Sequence, residues 1–341
     1  MSLNDDLLDN GNEPQPRRRK KRRGGLIALG ICGTLLLVGV IAVGAYFANL
    51  AHNFDSGTKK FANALPDDKN RPKEDGSYNV LLLGSDSRQG EADEKTVSGQ
   101  RADTIMLLHV PADGGQAYLI SIMRDTWVDI PGHGKAKINA ALDQGGIPLE
   151  VQTIEQLLDT RIDHVSGINF KGFRDLTNSV GGVTVDVPVA FTTEHGESYD
   201  KGPQKMNGDR ALTFVRERYA FADGDYQRVR DQRAYIRGLM KAIGDPQNFA
   251  NPLKVNDMVK TFSPYVQVDD SLNSTEAAKI LMKMGPNGFK NMKMMTLPNA
   301  GTGWSDDGQS IVNLDEGAVQ ELSKAMKDGT MDQFAKTAGT D

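Results

Sequence analysis

Arginines and carboxylates recur beside the ends of short apolar runs. Asp86 and Arg88 follow YNVLLLG in the segment GSDSR. Arg101 and Asp103 open RADTIMLLHV, and Arg124 and Asp125 close SIMRDTWV. Lys137 and Asn139 follow in KAKINAAL. Arg216 and Arg218 stand two apart in FVRER, and Arg228 and Gln232 four apart in DYQRVRDQ. Any one of these pairs alone reads as a solvated surface ion pair. The set is more informative, because strand ends are where open α/β sheets bind ligands. Guanidiniums brought together repel unless a strong anion sits among them, and their planar forks match phosphate oxygens bidentately. Asp86 and Asp103 add hard oxygen donors, and Mg²⁺ typically takes one or two carboxylates together with phosphate oxygens. The chemistry expected is the binding of a phosphate or pyrophosphate ester.

The elements that must position these residues can be read in outline. Tyr78–Gly84, Thr104–Val110 and Ala117–Met123 are apolar runs of the kind that form strands covered on both faces. A turn-rich link, Pro111–Gln116, makes a hairpin of the last two. Pro148–Thr160 has helical spacing, with Val151, Ile154, Leu157 and Leu158 on one face. HVSGINF reads as a strand, KGFRDLTNSV as a helix and GVTVDVP as a strand. Asn207 is placed to cap a short helix. Thr213–Arg218 reads as a strand, which would point Arg216 and Arg218 to the same face. Asp225–Ile243 reads as a long helix, with Arg228 and Gln232 one turn apart and Asp225 favouring its N-terminal dipole. Ser274–Met284 is a helix with Ser274 as its cap, and Lys290–Leu297 reads as a strand. Asp315–Lys327 reads as the final helix, stopped near Gly329. Strands and helices mixed without internal repeats predict one α/β domain with a central, partly antiparallel sheet.

The chain has 341 residues, 38% hydrophobic and 25% charged, with one cysteine, Cys32. That composition excludes a collagen-like or wholly disordered chain, and one cysteine excludes an intrachain disulfide or a Cys-ligated cluster. From Gly24 to Phe54 there is no charged residue. The run is long enough to span a bilayer, and Arg17–Arg23 precede it, so the positive-inside rule puts the tail in the cytoplasm. The expected organisation is a basic cytoplasmic tail at 1–23, a transmembrane helix at 24–47, a stalk at 48–77 and an extracellular domain at 78–341. This is a single-pass, type II cell-membrane topology. The net charge is −5 despite the basic tail, so nucleic acid is not an expected partner. No G-x-S-x-G, H-E-x-x-H or G-x-x-x-x-G-K-[ST] occurs, which leaves serine-hydrolase, zincin and P-loop chemistry without support. His109 lies within a strand pattern and reads as structural.

Several of these segments together resemble the LytR–CpsA–Psr family of bacterial cell-envelope enzymes. They are NVLLLGSDSR, RADTIMLLHV, MRDTWVDIPGHGKAKINAAL, GGVTVDVP, and MNGDRALTFVRER followed by DGDYQRVRDQ, in that order, between about Tyr78 and Ile243. The resemblance implies an α/β/α sandwich around a central mixed sheet, with a lipid groove between sheet and helices. It implies a phosphotransferase that moves a glycopolymer from a polyprenyl-pyrophosphate carrier onto peptidoglycan through a phosphodiester, generally at the 6-hydroxyl of N-acetylmuramic acid. A lipid-linked pyrophosphatase and a non-catalytic lipid–glycan binding or regulatory protein are the alternatives. By position, Arg101, Arg124, Arg216, Arg218, Arg228 and Gln232 match the pyrophosphate-binding set, and Asp86 and Asp103 the carboxylates associated with Mg²⁺ (or Mn²⁺). Arg88 and Asp225 match motif positions of less defined role, with Arg88 assigned to the pyrophosphate. Arg124, Asp86 and Asp103 are the expected catalytic residues. Two departures stand out: Met123 where the family usually has Pro, and Asp231 where it often has Arg. The segment between Asp86 and Arg101 reads as a rim loop for the acceptor.

Overall fold

The computed structural model describes residues 44–85, 102–243, 251–285, 288 and 291–338. The chain divides into a unit over Met1–Ala48 and one over Asn49–Asp341. Residues 44–57 are helical (α1). Among the described residues no helix is long and apolar enough to cross a membrane, and most of the expected span at 24–47 lies outside them.

The second unit is built on a seven-stranded mixed sheet. Its strands are β1 (Lys59–Phe61), β2 (Tyr78–Ser85), β3 (Ala102–Val110), β4 (Tyr118–Ile122), β7 (His164–Asn169), β12 (Val266–Asp269) and β13 (Lys293–Thr296). Their spatial order is β1-β12-β7-β2-β3-β4-β13. β2 runs parallel to β7 and antiparallel to β3, and β4 runs antiparallel to β3 and parallel to β13. Two-stranded ribbons accompany it: β5 (Trp127–Ile130) with β6 (Gly134–Lys137), β8 (Val183–Val187) with β11 (Gly202–Met206), β9 (Phe191–Thr192) with β10 (Ser198–Tyr199), and β14 (Asn299–Trp304) with β15 (Ser310–Leu314).

Period-two alternation sends Leu81, Leu83, Ile105, Leu107 and Ile120 to one face of the sheet. There they pack against α2 (Ala140–Leu158), α8 (Glu316–Asp328) and α9 (Met331–Ala338). Val80, Leu82, Met106 and Leu119 turn the other way, toward α5 (Asp225–Ile243) and α7 (Ser274–Met284). Burial on both faces is why the strands read as unbroken apolar runs. A further cluster joins α3 (Phe170–Ser179), α4 (Gly208–Arg216), α5, α6 (Pro252–Phe262) and β8 through Phe173, Phe214, Tyr235, Met258 and Val185. His109 is fully buried, with Nδ1 2.7 Å from Asn79 Oδ1. Burial pushes its pKa down to about 4, which keeps the ring neutral as a core group.

Several elements differ from the sequence reading. Thr213–Arg218 is not a strand: α4 runs to Arg216, and Asn207 Oδ1 caps it by accepting from Arg210 N at 2.9 Å. The buried positions Gly208, Ala211, Leu212, Phe214 and Val215 repeat every three to four residues. A six-residue window hid that period. α2 begins at Ala140, upstream of Pro148, with a kink at Gly146, whose φ is 69°. The cap of α7 is Asn273, which accepts from the Thr275 and Glu276 amides, rather than Ser274. α8 ends at Gly329 in the left-handed region, as expected, but α9 follows it. Residues read as a stalk are part of the folded unit. β1 pairs in parallel with β12, and Lys60 Nζ donates to the Asp269 and Leu272 carbonyls. Arg71 is buried against Glu155, with Nη2 2.8 Å from Oε1.

Candidate active site

The sheet topology brings the start of β3 and the end of β4 to one edge, because the two strands are antiparallel and Ile105 pairs with Ile122. Asp103 lies two residues before that pair and Arg124 two residues after it. The turn after β4 is closed by Thr126, whose amide and Oγ1 both donate to the Met123 carbonyl. The Arg124 carbonyl accepts from Asn139 N at 3.2 Å. The turn therefore fixes the arginine's direction as well as its position.

Arg124 Nη1 donates to Asp103 Oδ1 at 2.7 Å. Its Nε lies 3.3 Å from Asp225 Oδ2, at the first residue of α5, and 3.7 Å from Asp125 Oδ2. Asp225 Oδ2 is also 3.0 Å from Arg228 Nη2, and its Oδ1 is 4.0 Å from Arg218 Nη1. One carboxylate thus holds three guanidiniums from three places in the chain. Lys137 extends the network, 3.3 Å from Asp125 Oδ1. Gly224, at φ 47°, makes the turn that delivers Asp225 to the helix start.

Gln232, one turn beyond Arg228, donates to Thr104 Oγ1 at 3.0 Å and to the Val215 carbonyl at 3.3 Å. It fastens α5 to β3 and α4 together. Arg218 lies just past α4, where Glu217 Oε1 accepts from the amides of Arg218, Tyr219 and Ala220. Arg216, the last residue of α4, stacks its guanidinium 4.2 Å above the Phe170 ring. The shared-face argument for Arg216 and Arg218 fails with the strand that carried it: Arg218 joins the Asp225 network, while Arg216 sits on α3. Asp86, Arg88 and Arg101, and the rim loop between them, lie outside the described residues. Ser85 and Ala102, which flank them, pair across β2 and β3.

The electrostatics favour an anion. The Arg228 side chain is only 7% exposed. Burial lowers its pKa, Asp225 opposes that shift, and the neighbouring Arg124 and Arg218 reinforce it. Burial also works against the charge on Arg124, but Asp225, Asp125 and Asp103 outweigh it, so its pKa is raised. Arg228 Nε is buried with no hydrogen-bond acceptor among the described residues, and Arg124 Nε, 3.3 Å from Asp225 Oδ2, is paired by charge without a well-directed hydrogen bond. Buried N–H groups without acceptors are costly, and a bound phosphate oxygen would satisfy them. Asp231 turns away from this network. It is fully buried, accepts from Gln227 Nε2 at 2.8 Å, and burial pushes its pKa up to about 7.

Sequence reasoning singled out Arg124, Asp103, Arg218, Arg228 and Gln232, which the structure brings close together. It left Asp225 without a defined role and did not reach Thr104. The signal for Asp225 was its place at the first turn of α5, directly after the Asp223–Gly224 turn.

A mixed α/β domain with guanidiniums gathered at one sheet edge is an anion-handling fold. The LytR_cpsA_psr family matches the chain over residues 46–328, and the chain belongs to that family. Among its relatives is the polyisoprenyl-teichoic acid–peptidoglycan teichoic acid transferase TagU of Bacillus subtilis, 30% identical over 318 residues. That match covers 92% of this chain and 97% of the relative. The probable cell wall biosynthesis protein LcpB of Corynebacterium glutamicum is 34% identical over 239 residues, covering 67% of this chain and 56% of LcpB. The crystal structure of protein gbs0355 from Streptococcus agalactiae superposes with a TM-score of 0.63 at 26% identity, covering 74% of this chain and 88% of that one.

Proposed function

We propose that this chain is a phosphotransferase that moves a glycopolymer from a polyprenyl-pyrophosphate carrier onto peptidoglycan. The observation that carries this reading is the Arg124–Asp225–Arg228 network at the sheet edge, in which the buried Arg228 Nε lacks an acceptor among the described residues. The near full-length similarity to a relative named as a teichoic acid transferase supports the same reaction class. In the reaction, an acceptor hydroxyl attacks the sugar-linked phosphorus, a new P–O bond forms, and the hydroxyl's O–H bond breaks with its proton released to solvent. The P–O bond to the bridging oxygen breaks, and polyprenyl phosphate departs with the electron pair. Arg124, Arg218 and Arg228 hold the non-bridging oxygens as charge spreads over them, the main catalytic contribution in phosphoryl transfer. Arg88, Arg101 and Arg216 complete the pyrophosphate set in this reading, and Gln232 holds α5 against β3.

A divalent cation fits Asp103, whose carboxylate is partly exposed and offers hard oxygen donors, with Asp86 as its expected companion. Among the described residues no cluster of three or more His, Cys, Asp or Glu gathers, so a Mg²⁺ or Mn²⁺ ion there would draw further ligands from phosphate oxygens. When bound, it would neutralise pyrophosphate charge. Helices on both faces of the sheet support the α/β/α sandwich. The apolar run at 24–47 behind its basic tail supports a type II membrane anchor with the domain outside the cell.

The test is product analysis with the full chain in detergent, Mg²⁺, a polyprenyl-pyrophosphoryl glycan and a peptidoglycan oligomer. A glycan–phosphate–muropeptide adduct with polyprenyl phosphate, lost in Arg124→Ala and Arg228→Ala, is the expected result. Loss of one such clamp lowers the rate by about 10²–10³. Glycan phosphate released without adduct would define a pyrophosphatase instead. Tight lipid binding without turnover would define a binding protein.

A further inference from the structure

Single exposed apolar side chains are ordinary; what distinguishes Trp304 is where its hairpin is anchored. The β14–β15 hairpin is held at its base by the site itself. Val312 N donates to the Asp125 carbonyl at 2.9 Å, and Thr126 bridges to Val312. Tyr226 of α5 donates its hydroxyl to Asn299 Oδ1 at 2.7 Å. Both anchors are next-door neighbours of network residues: Asp125 follows Arg124, and Tyr226 follows Asp225.

The register fixes which way Trp304 faces. Trp304 pairs with Ser310 and Thr302 with Val312. Cross-strand partners and residues two apart share a face of a ribbon. Val312 turns its side chain to Met123, Val229 and Tyr226. Trp304 is therefore on the same ribbon face as Val312, about 7 Å further out along the strand and past the exposed Thr302. Yet its side chain is packed against little, and the residue is 76% exposed. An indole on a hairpin anchored beside the candidate site, with its face open, is a platform for the apolar C–H face of a pyranose ring.

The tip decides among occupants. Asp306 and Asp307 follow Trp304 and are exposed. They oppose an anionic bilayer surface and the polyanionic donor, but not an uncharged, hydroxyl-bearing sugar. We propose that Trp304 stacks on a sugar ring of the acceptor glycan and holds the acceptor beside the site. This rests on the transferase reading given above.

The test uses the full chain in detergent and a peptidoglycan tetrasaccharide as probe. The chain has two tryptophans, so Trp304→Phe leaves only Trp127 to emit. Saturable quenching of wild-type tryptophan emission by the tetrasaccharide alone, absent in Trp304→Phe, is expected and requires no turnover. In transfer assays Trp304→Ala should raise the acceptor KM about tenfold, leave kcat and the donor KM within about twofold, and leave Tm unchanged. Trp304→Phe should keep the acceptor KM near wild type. No quenching together with an unchanged acceptor KM in Trp304→Ala would overturn the inference while transfer itself continued. A raised donor KM alone, or lost binding to phosphatidylglycerol vesicles with glycan binding intact, would overturn it as well. If Arg124→Ala failed to impair transfer, the transferase reading would fall, and the quenching titration would still judge Trp304 separately.

Discussion

Replacing Asp225 by Asn tests whether one carboxylate organises the site. The change keeps the shape and removes the charge that faces Arg124 Nε at 3.3 Å, Arg228 Nη2 at 3.0 Å and Arg218 Nη1 at 4.0 Å. At an effective dielectric near 20, unit charges 4 Å apart interact by about 4 kcal/mol before desolvation is counted. Removing one partner of a buried pair usually costs about 3–5 kcal/mol, because the other charge stays buried and uncompensated. The Asp225 side chain is 16% exposed and that of Arg218 a third, so the lower end, about 3 kcal/mol, applies. For a folded unit of this size that corresponds to a fall in Tm of about 5 °C. A second consequence separates this account from simple loss of packing. Inorganic pyrophosphate supplies the missing negative charge, so it should stabilise Asp225→Asn more than wild type, by the linkage between binding and folding. Calorimetry with and without pyrophosphate reads both effects. A Tm within 2 °C of wild type, or a larger pyrophosphate shift in wild type than in the variant, would refute the reasoning.

Gln232→Leu removes two hydrogen bonds between α5 and its neighbours and should lower stability by about 1–2 kcal/mol, read from the urea midpoint at unchanged m. The pH dependence of stability should carry the signature of two buried acids. Burial pushes Glu150 up to about 8 and Asp231 up to about 7, from ordinary values of 4.5 and 3.8. Between about pH 4 and 8 the folded chain holds protons that the unfolded chain has released, so these groups make stability fall as pH rises through that window. Glu150→Gln and Asp231→Asn should each flatten that fall in a Tm-against-pH series; an unchanged slope in both would remove the argument.

The strands were legible because a sheet covered on both faces demands continuous apolar runs, and Leu81, Leu107 and Ile120 obey that demand. The arginines were legible because charged pairs interrupt those runs at their ends. Asp225 was not assigned a role, since its partner Arg124 is a hundred residues away and only the docking of α5 on the end of β4 joins them. α4 was misread because Thr213–Arg218 is too short a stretch to show a period, while the helical period needs Gly208 and Ala211 to show. β1 was hidden by Lys59 and Lys60, whose exposed side chains carry no apolar pattern. Trp304 gave no periodic signal at all, because its position matters through the hairpin register alone.

The same β1 has a bearing on how the protein avoids itself. It is three residues long, carries two lysines and lies at the outer margin of the sheet, covering β12. Short, lysine-bearing margins resist pairing with a neighbouring chain, whereas a longer strand laid bare invites it. A fragment starting at Tyr78, where the motifs begin, would strip this cover and offer the backbone of Val266–Asp269 to other copies. Such a fragment would self-associate through its sheets more readily than one starting at Asn49 at the same concentration.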